Sequence, residues 1–245
     1  MRSFVVTGGS RGVGRAVVER LAADGHVVVL DLAAADPPPW AHPGVTLVSG
    51  DAGDPGTARR AAEAAEAAAP LAGWVNNAAV FRDAPVTDPP SEVLAAVTAN
   101  LALAITGCHT AVGHFLRHGR AGAIVNVSSH QAQRPVRGAL PYATAKGAVE
   151  ALTRAVAVDH GPDAIRTNAV ALGSIETERY EQYRREHPGV DRQMAALHPL
   201  GRVGTGAEVA EAVAFLLSDR AAFVNGAVLP VDGGRAAQGA DPEAT

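Results

Sequence analysis

Short runs of consecutive apolar residues, rich in valine, alternate along this chain with longer alanine-rich stretches whose apolar positions recur at helical spacing. Runs of the first kind suit strands buried on both faces, because a parallel sheet covered by helices has no wet side. Strands are expected at 3–7, 26–30, 45–49, 72–75, 122–127, 165–170 and 227–231, and helices at about 13–24, 56–69, 91–118, 141–160 and 206–218. That alternation predicts an α/β fold: one doubly wound parallel sheet of about seven strands with helices on both faces.

Three stretches break the beat. Residues 31–44, DLAAADPPPWAHPG, read as a proline-rich crossover too broken for a good helix. Residues 178–200 are charged and aromatic and read as an inserted helical flap. Residues 235–245 are small and polar and are expected to fray. With no composition break elsewhere, residues 1–234 are expected to form a single dinucleotide-binding and catalytic domain.

Composition narrows the class. The 245 residues carry a net charge of −4, which gives no basic surplus for nucleic acid. A single cysteine, Cys108, rules out an internal disulfide framework and suits a reducing compartment. The chain runs from Met-Arg-Ser straight into a strand, and no uninterrupted apolar run approaches a membrane span. A soluble, cytoplasmic protein is expected.

Chemistry enters with TGGSRGVG at 7–14, between the first strand and the first helix. Gly8, Gly12 and Gly14 let the backbone turn tightly and bring a helix start, with its free N–H groups, against a diphosphate. The same letters spell G-x-S-x-G, but a nucleophile elbow follows several strands, and here only seven residues precede Gly8. Asp31 ends the second strand about twenty residues on, placed to accept the hydroxyls of an adenosine ribose and to repel a 2′-phosphate. From Leu21 to Thr57 there is no Arg or Lys. The balance favours NAD over NADP, with Arg11 the one opposing residue.

Of 21 basic side chains one is lysine, Lys146, four residues after Tyr142 in PYATAKGAVE and so on the same helix face. Ser129 closes a strand thirteen positions before Tyr142. Here the chain resembles the single-domain short-chain dehydrogenase/reductase family. The matches are T-G-x-x-x-G-x-G at 7–14, Asp51 in GDAGD, N-N-A-A at 76–79, Asn100 and V-N-V-S-S at 125–129. They continue with Y-x-x-x-K at 142–146, N-A-V-x-x-G-x-I-x-T at 168–177 and V-D-G-G at 231–234. They run in order over residues 3–234.

The resemblance implies a Rossmann fold and a catalytic tetrad of Asn100, Ser129, Tyr142 and Lys146. A tyrosine that removes an alcohol proton at neutral pH must titrate about three pH units below its usual value, which requires roughly 4 kcal/mol from nearby positive charge. Lys146 would supply part of that charge and hold the nicotinamide ribose. Ser129 would stabilise the substrate oxygen, and Asn100 would disturb its helix and hold a water linking Lys146 to solvent. The resemblance also implies a cofactor cradle of Gly8, Ser10, Arg11, Gly12, Val13 and Gly14, with Asp31, Asp51, Ala52, Asn77 and Ala78 along the adenosine and Ile175 and Thr177 at the nicotinamide. Two departures stand out: Ala79 where the family has glycine, and Leu172 where it has proline, which frees the backbone there.

The expected activity is hydride transfer between NAD(H) and a secondary alcohol or ketone. The rivals are an NADPH-dependent 3-oxoacyl-thioester reductase and a nucleotide-binding sensor without catalysis. The substrate is a small molecule; Ser129, His130, Gln131 and Tyr180 are candidate pocket residues, and Arg134, Arg137, Arg179, Arg184 and Arg185 candidates to meet a carboxylate. His114 and His118 lie one turn apart, yet a metal site needs a third ligand, so none is expected. The family resemblance suggests a homotetramer, with a homodimer as the alternative.

Overall fold

The structure, a computed structural model, describes residues 1–32 and 43–239. Its seven strands are β1 (Ser3–Thr7), β2 (His26–Asp31), β3 (Val45–Ser49), β4 (Leu71–Asn76), β5 (Gly122–Ser129), β6 (Ile165–Leu172) and β7 (Val228–Val231). They form one parallel sheet in the order β3-β2-β1-β4-β5-β6-β7.

The valine-rich runs are sorted by the pleat, since successive side chains leave opposite faces of a strand. Phe4, Val6, Val27, Val29 and Val75 pack with Val17, Val18 and Leu21 of α1 (Gly12–Leu21) and Val209, Val213 and Leu216 of α7 (Gly206–Leu217). Val5, Val28, Leu30, Trp74 and Ile124 face the other layer. There they meet Ala58, Ala61 and Ala65 of α2 (Pro55–Ala68) and Ala111, Val112 and Phe115 of α3 (Pro90–Arg117). α4 (Leu140–His160) completes that layer through Leu152 and Val156. Small alanines on α2 let it lie close to the strands, while Trp74 and Phe115 fill the wider gap under α3.

The expected elements are all present, with shifts that have local causes. α1 stops at Leu21 because the backbone N–H groups of Asp24 and Gly25 both turn back to Leu21 O. β2, β4, β5 and β6 each run past the expected end to take in Asp31, Asn76, Ser128 and Ser129, and Ala171 and Leu172. Hydrophobic patterning undercounts the ends of β2, β4 and β5 because those residues are polar; Ala171 and Leu172 of β6 are apolar and continue the ladder with β5 and β7. The flap is two helices, α5 (Glu178–Glu186) and α6 (Val190–Leu197).

α3 corrects one expectation, being long and apolar enough by length and composition to cross a membrane. Its buried residues pack on β4 and α4, as in the central helix of a globular core. Most of the expected crossover at 31–44 lies outside the described residues, as do residues 240–245. Residues 235–238 are not frayed: Ala236 N–H donates to Asp232 Oδ2 at 2.7 Å, and Ala236 O accepts Arg134 Nε at 2.7 Å.

Candidate active site

After β1 the chain winds outward to β2 and β3, then returns to β4 on the other side of β1. The crossovers diverge there, leaving an opening at the carboxyl ends of β1 and β4, where ligands of such sheets sit. Thr7 Oγ1 accepts the N–H groups of Asn77 (3.0 Å) and Ala78 (3.1 Å), and Asn77 Nδ2 donates to Thr7 O and Gly8 O (3.0 and 2.9 Å). The glycine turn is therefore clamped against residues 77–78. Gly8 has φ +64°, and a β-carbon on it would come within 2.8 Å of Ala78 Cα. One on Gly14 would collide with Gly8 O.

α1 starts at Gly12 with no side chain capping it, so its first N–H groups face the opening. Asp31 accepts Ser10 N–H at 3.0 Å, which places its carboxylate beside the turn. Asp51 accepts Gly53 N–H at 2.8 Å just past β3, next to buried Ala52. Across the opening, Thr177 caps α5 by accepting Tyr180 N–H, and its methyl sits 3.4 Å from where a β-carbon on Gly12 would lie. Ile175 pairs with Gly204. Gly8, Gly14, Asn77 and Ala78 thus stand against one another, with Thr177 close to Gly12 and Asp31 beside Ser10, and the glycines leave backbone where a side chain would collide.

The tetrad converges at the same edge. Ser129 ends β5, and Tyr142 and Lys146 occupy the first two turns of α4. The Ser129 hydroxyl acts on the Tyr142 phenol and pulls its titration down, and Ser129 Oγ also accepts Gln131 N–H at 3.2 Å. Lys146 is buried, donates to Val127 O at 2.7 Å, and lies 5.4 Å from the Tyr142 ring centroid. Burial alone pulls it down to about 8.

Two expectations need correcting. Burial raises the Tyr142 phenol above its usual value, and the groups that pull it down are the Ser129 hydroxyl and the positive charge of Arg179 rather than Lys146, whose ammonium is turned to Val127. Asn100 does not break α3, which is continuous through it. Its amide closes on one residue, accepting from Val80 N (2.8 Å) and donating to Val80 O (2.6 Å), so it pins the loop that carries Phe81.

Beneath the site runs a buried chain that sequence reading missed. Trp74 Nε1 donates to Asn76 Oδ1 (2.8 Å), Asn76 Nδ2 to Asn126 Oδ1 (2.8 Å), Asn126 Nδ2 to Thr153 Oγ1 (2.9 Å), and Thr153 to Val149 O (2.8 Å). It joins β4, β5 and α4. The available signal was an asparagine inside each of two apolar strands, since a buried amide requires a partner. Cys108 lies beside it, its thiol pushed up to about 12 by burial and so inert.

The pocket side is mixed. His130 is buried, and its Nδ1 meets Leu172 O at 3.1 Å, so Nδ1 carries the proton; Nε2 is left without a partner among the described residues. Burial lowers its proton affinity, leaving a neutral ring with a free acceptor. Gln131 Oε1 is likewise unpartnered. Tyr180 does not fit the pocket reading, because its hydroxyl is bound to Asp191 (2.8 Å), joining α5 to α6. Burial and that carboxylate push it up to about 12. Phe81 instead stacks on Tyr142, with centroids 5.2 Å apart, and Arg179 lies 4.3 Å over Phe81.

Both departures from the family pattern are benign. Ala79 is exposed, and Leu172 stays in the β5–β6 ladder rather than freeing the backbone. At the opposite end of the strands, beside the start of β4, the His114–His118 pair does meet a third donor, Glu66, which spacing alone did not reveal. Glu66 Oε2 already accepts Leu71 N–H (3.0 Å), meets the His114 ring (2.9 Å) and is ion-paired with Arg120 (2.6 Å), so the cluster ties α2 to α3.

A family model described as enoyl-(acyl carrier protein) reductase matches residues 8–236. A 2-(R)-hydroxypropyl-CoM dehydrogenase of Xanthobacter autotrophicus is 39% identical over 163 residues, 65% of this chain and 64% of that protein. The human L-xylulose reductase is 35% identical over 95% of this chain and 96% of its own. An Agrobacterium tumefaciens structure described as a 2-deoxy-D-gluconate 3-dehydrogenase, with bound NADP, superposes with a TM-score of 0.84 at 28% identity, covering 97% of both chains.

Proposed function

The chain belongs to the short-chain dehydrogenase/reductase family and is an oxidoreductase acting on CH–OH groups, and from that premise we propose that it interconverts a secondary alcohol and a ketone with NAD(H), Tyr142 serving as the general acid and base. The nicotinamide ring, when bound, supplies or accepts the hydride. Gly8, Ser10, Arg11, Gly12, Val13 and Gly14 would hold the diphosphate, Asp31, Asp51, Ala52, Asn77 and Ala78 the adenosine, and Ile175, Thr177 and Lys146 the nicotinamide half.

In the oxidation direction the alcohol O–H bond breaks toward Tyr142 Oη as the carbon loses hydride, and the proton rests on the phenol. Ser129 donates a hydrogen bond to the same oxygen and stabilises the charge it develops. Arg179 holds positive charge near the phenol, which favours its ionised form, while Lys146 lies 5.4 Å from the ring with its ammonium on Val127 O. The observation that carries this reading is the grouping of Ser129, whose hydroxyl acts on the Tyr142 phenol, with Tyr142 and, one turn along the same helix, Lys146 5.4 Å from the Tyr142 ring. Tyr142→Phe removes the proton acceptor and little else. It is expected to lower turnover by about 100-fold or more with cofactor affinity retained; a variant as active as the parent overturns the mechanism.

NAD is favoured by the Asp31 carboxylate beside Ser10. The second reading, NADPH, has a specific observation behind it: the Arg11 side chain is exposed with no hydrogen bond or ion pair among the described residues, free to meet a 2′-phosphate. Fluorescence titration with NADH and NADPH separates the two, and tighter NADPH binding overturns the Asp31 argument. We also propose a homotetramer, because Leu94, Ile105 and Leu116 on α3 and Val158 on α4 are exposed apolar residues. Light scattering gives the mass that tests it.

A further inference from the structure

We propose that the substrate carries a carboxylate near its reacting carbon and that Arg179 receives it; this deepens the oxidoreductase reading and rests on it. Of the five arginines that sequence offered for such a role, Arg134 is bound to Ala236 O and Arg184 to Glu181. Arg137 and Arg185 have no hydrogen bond, ion pair or ring contact with the site residues among the described residues. Arg179 lies with its guanidinium 4.3 Å over the Phe81 ring, and Phe81 in turn stacks on Tyr142.

A guanidinium laid on an aromatic ring uses its face and leaves its edge free. That edge is the planar fork that fits a carboxylate with two parallel hydrogen bonds. Among the described residues Arg179 has no hydrogen bond and no ion pair, so the fork is preorganised and unused. The neighbouring Glu178 does not fill it, since its carboxylate lies toward Gly12, on the cofactor side of the cleft.

The charge around the reacting oxygen is one-sided. Lys146 and Arg179 are cations near Tyr142, and among the described residues neither forms an ion pair with a carboxylate. A substrate anion seated on Arg179 balances that charge and fixes the carbonyl relative to Tyr142 and Ser129. His130, neutral with a free Nε2, adds an acceptor but no negative charge.

The test uses matched pairs, oxo acids with the ketone one to four carbons from the carboxylate and their methyl esters, with the reduced cofactor. The parent protein is expected to prefer one acid over its ester by about tenfold or more in kcat/KM, the range of a charge-assisted hydrogen bond. Arg179→Gln is expected to collapse that ratio toward one, mostly through KM, and Arg179→Lys to restore part of it. Equal use of acids and esters by the parent overturns the proposal. So does an unchanged ratio in Arg179→Gln, which would make Arg179 only a brace for Phe81. Turnover confined to esters sinks the carboxylate assignment and leaves the oxidoreductase reading intact. No turnover of either member, with NADH or NADPH shown bound by fluorescence, sinks both.

Discussion

Lys146→Met should make the cofactor-free protein more stable while ending its activity. The side chain is 5% exposed, and the ammonium has one hydrogen-bond partner, Val127 O. Burial lowers its titration from 10.5 to about 8. At about 1.4 kcal/mol per pH unit, the folded chain loses roughly 3 kcal/mol by holding that charge at neutral pH. Methionine has similar length and no charge, so it fills the space without a cavity. Removing the donor from Val127 O returns about 1 kcal/mol of the gain. The net expectation is about 2 kcal/mol, a rise of about 4–8 °C in Tm for a chain of this size.

The pH dependence is the sharper signature. Below pH 8 the lysine is charged in both states and the whole cost is present. Between about 8 and 10.5 the unfolded chain keeps its proton while the folded one has lost it, so the parent gains stability as pH rises and the gap to the variant closes. Thermal melts at pH 7, 8, 9 and 10 without cofactor read both quantities. A variant that melts at or below the parent at pH 7, or a gap that does not change with pH, refutes the reasoning.

Asn100→Ala unpairs both backbone groups of Val80 and is expected to cost about 2 kcal/mol, with faster hydrogen exchange at residues 80–82 and a raised substrate KM. Glu66, partly buried, is nonetheless held at about 2 by Arg120, Leu71 N–H and the His114 ring. Its contribution is therefore present above about pH 4.5 and is lost as pH falls toward 2, so Glu66→Gln should flatten the acid limb of the stability curve. A quarter of that side chain is exposed, so screening limits the neutral-pH effect to about 1 kcal/mol in urea melts.

Sequence reading placed the fold well because its two signals, unbroken valine runs and alanine-rich helical periods, report burial directly. Ser129, Tyr142 and Lys146 were legible because they recur at fixed spacing on elements whose ends are set by the sheet. What stayed hidden depends on contacts between distant segments. Nothing local says that Asn100 closes on Val80, that Tyr180 is taken by Asp191, or that Lys146 turns toward Val127 instead of the phenol. The tail was misjudged for the same reason: RAAQ looks soft as a string, yet Asp232 and Arg134 hold its backbone from outside the segment.

The amide chain from Trp74 through Asn76 and Asn126 to Thr153 works as a registration pin. Any slide or roll of α4 against the sheet strands buried polar groups, and Tyr142 and Lys146 ride on that helix two to three turns before Thr153. The segments proposed to meet substrate, α5, α6 and the loops after β4 and β5, contribute no residue to this chain of amides. Segments there that do not touch Tyr142 can change without shifting α4, whereas Phe81, stacked on Tyr142, and Arg179, laid over Phe81, tie the proposed choice of substrate to the proposed proton transfer.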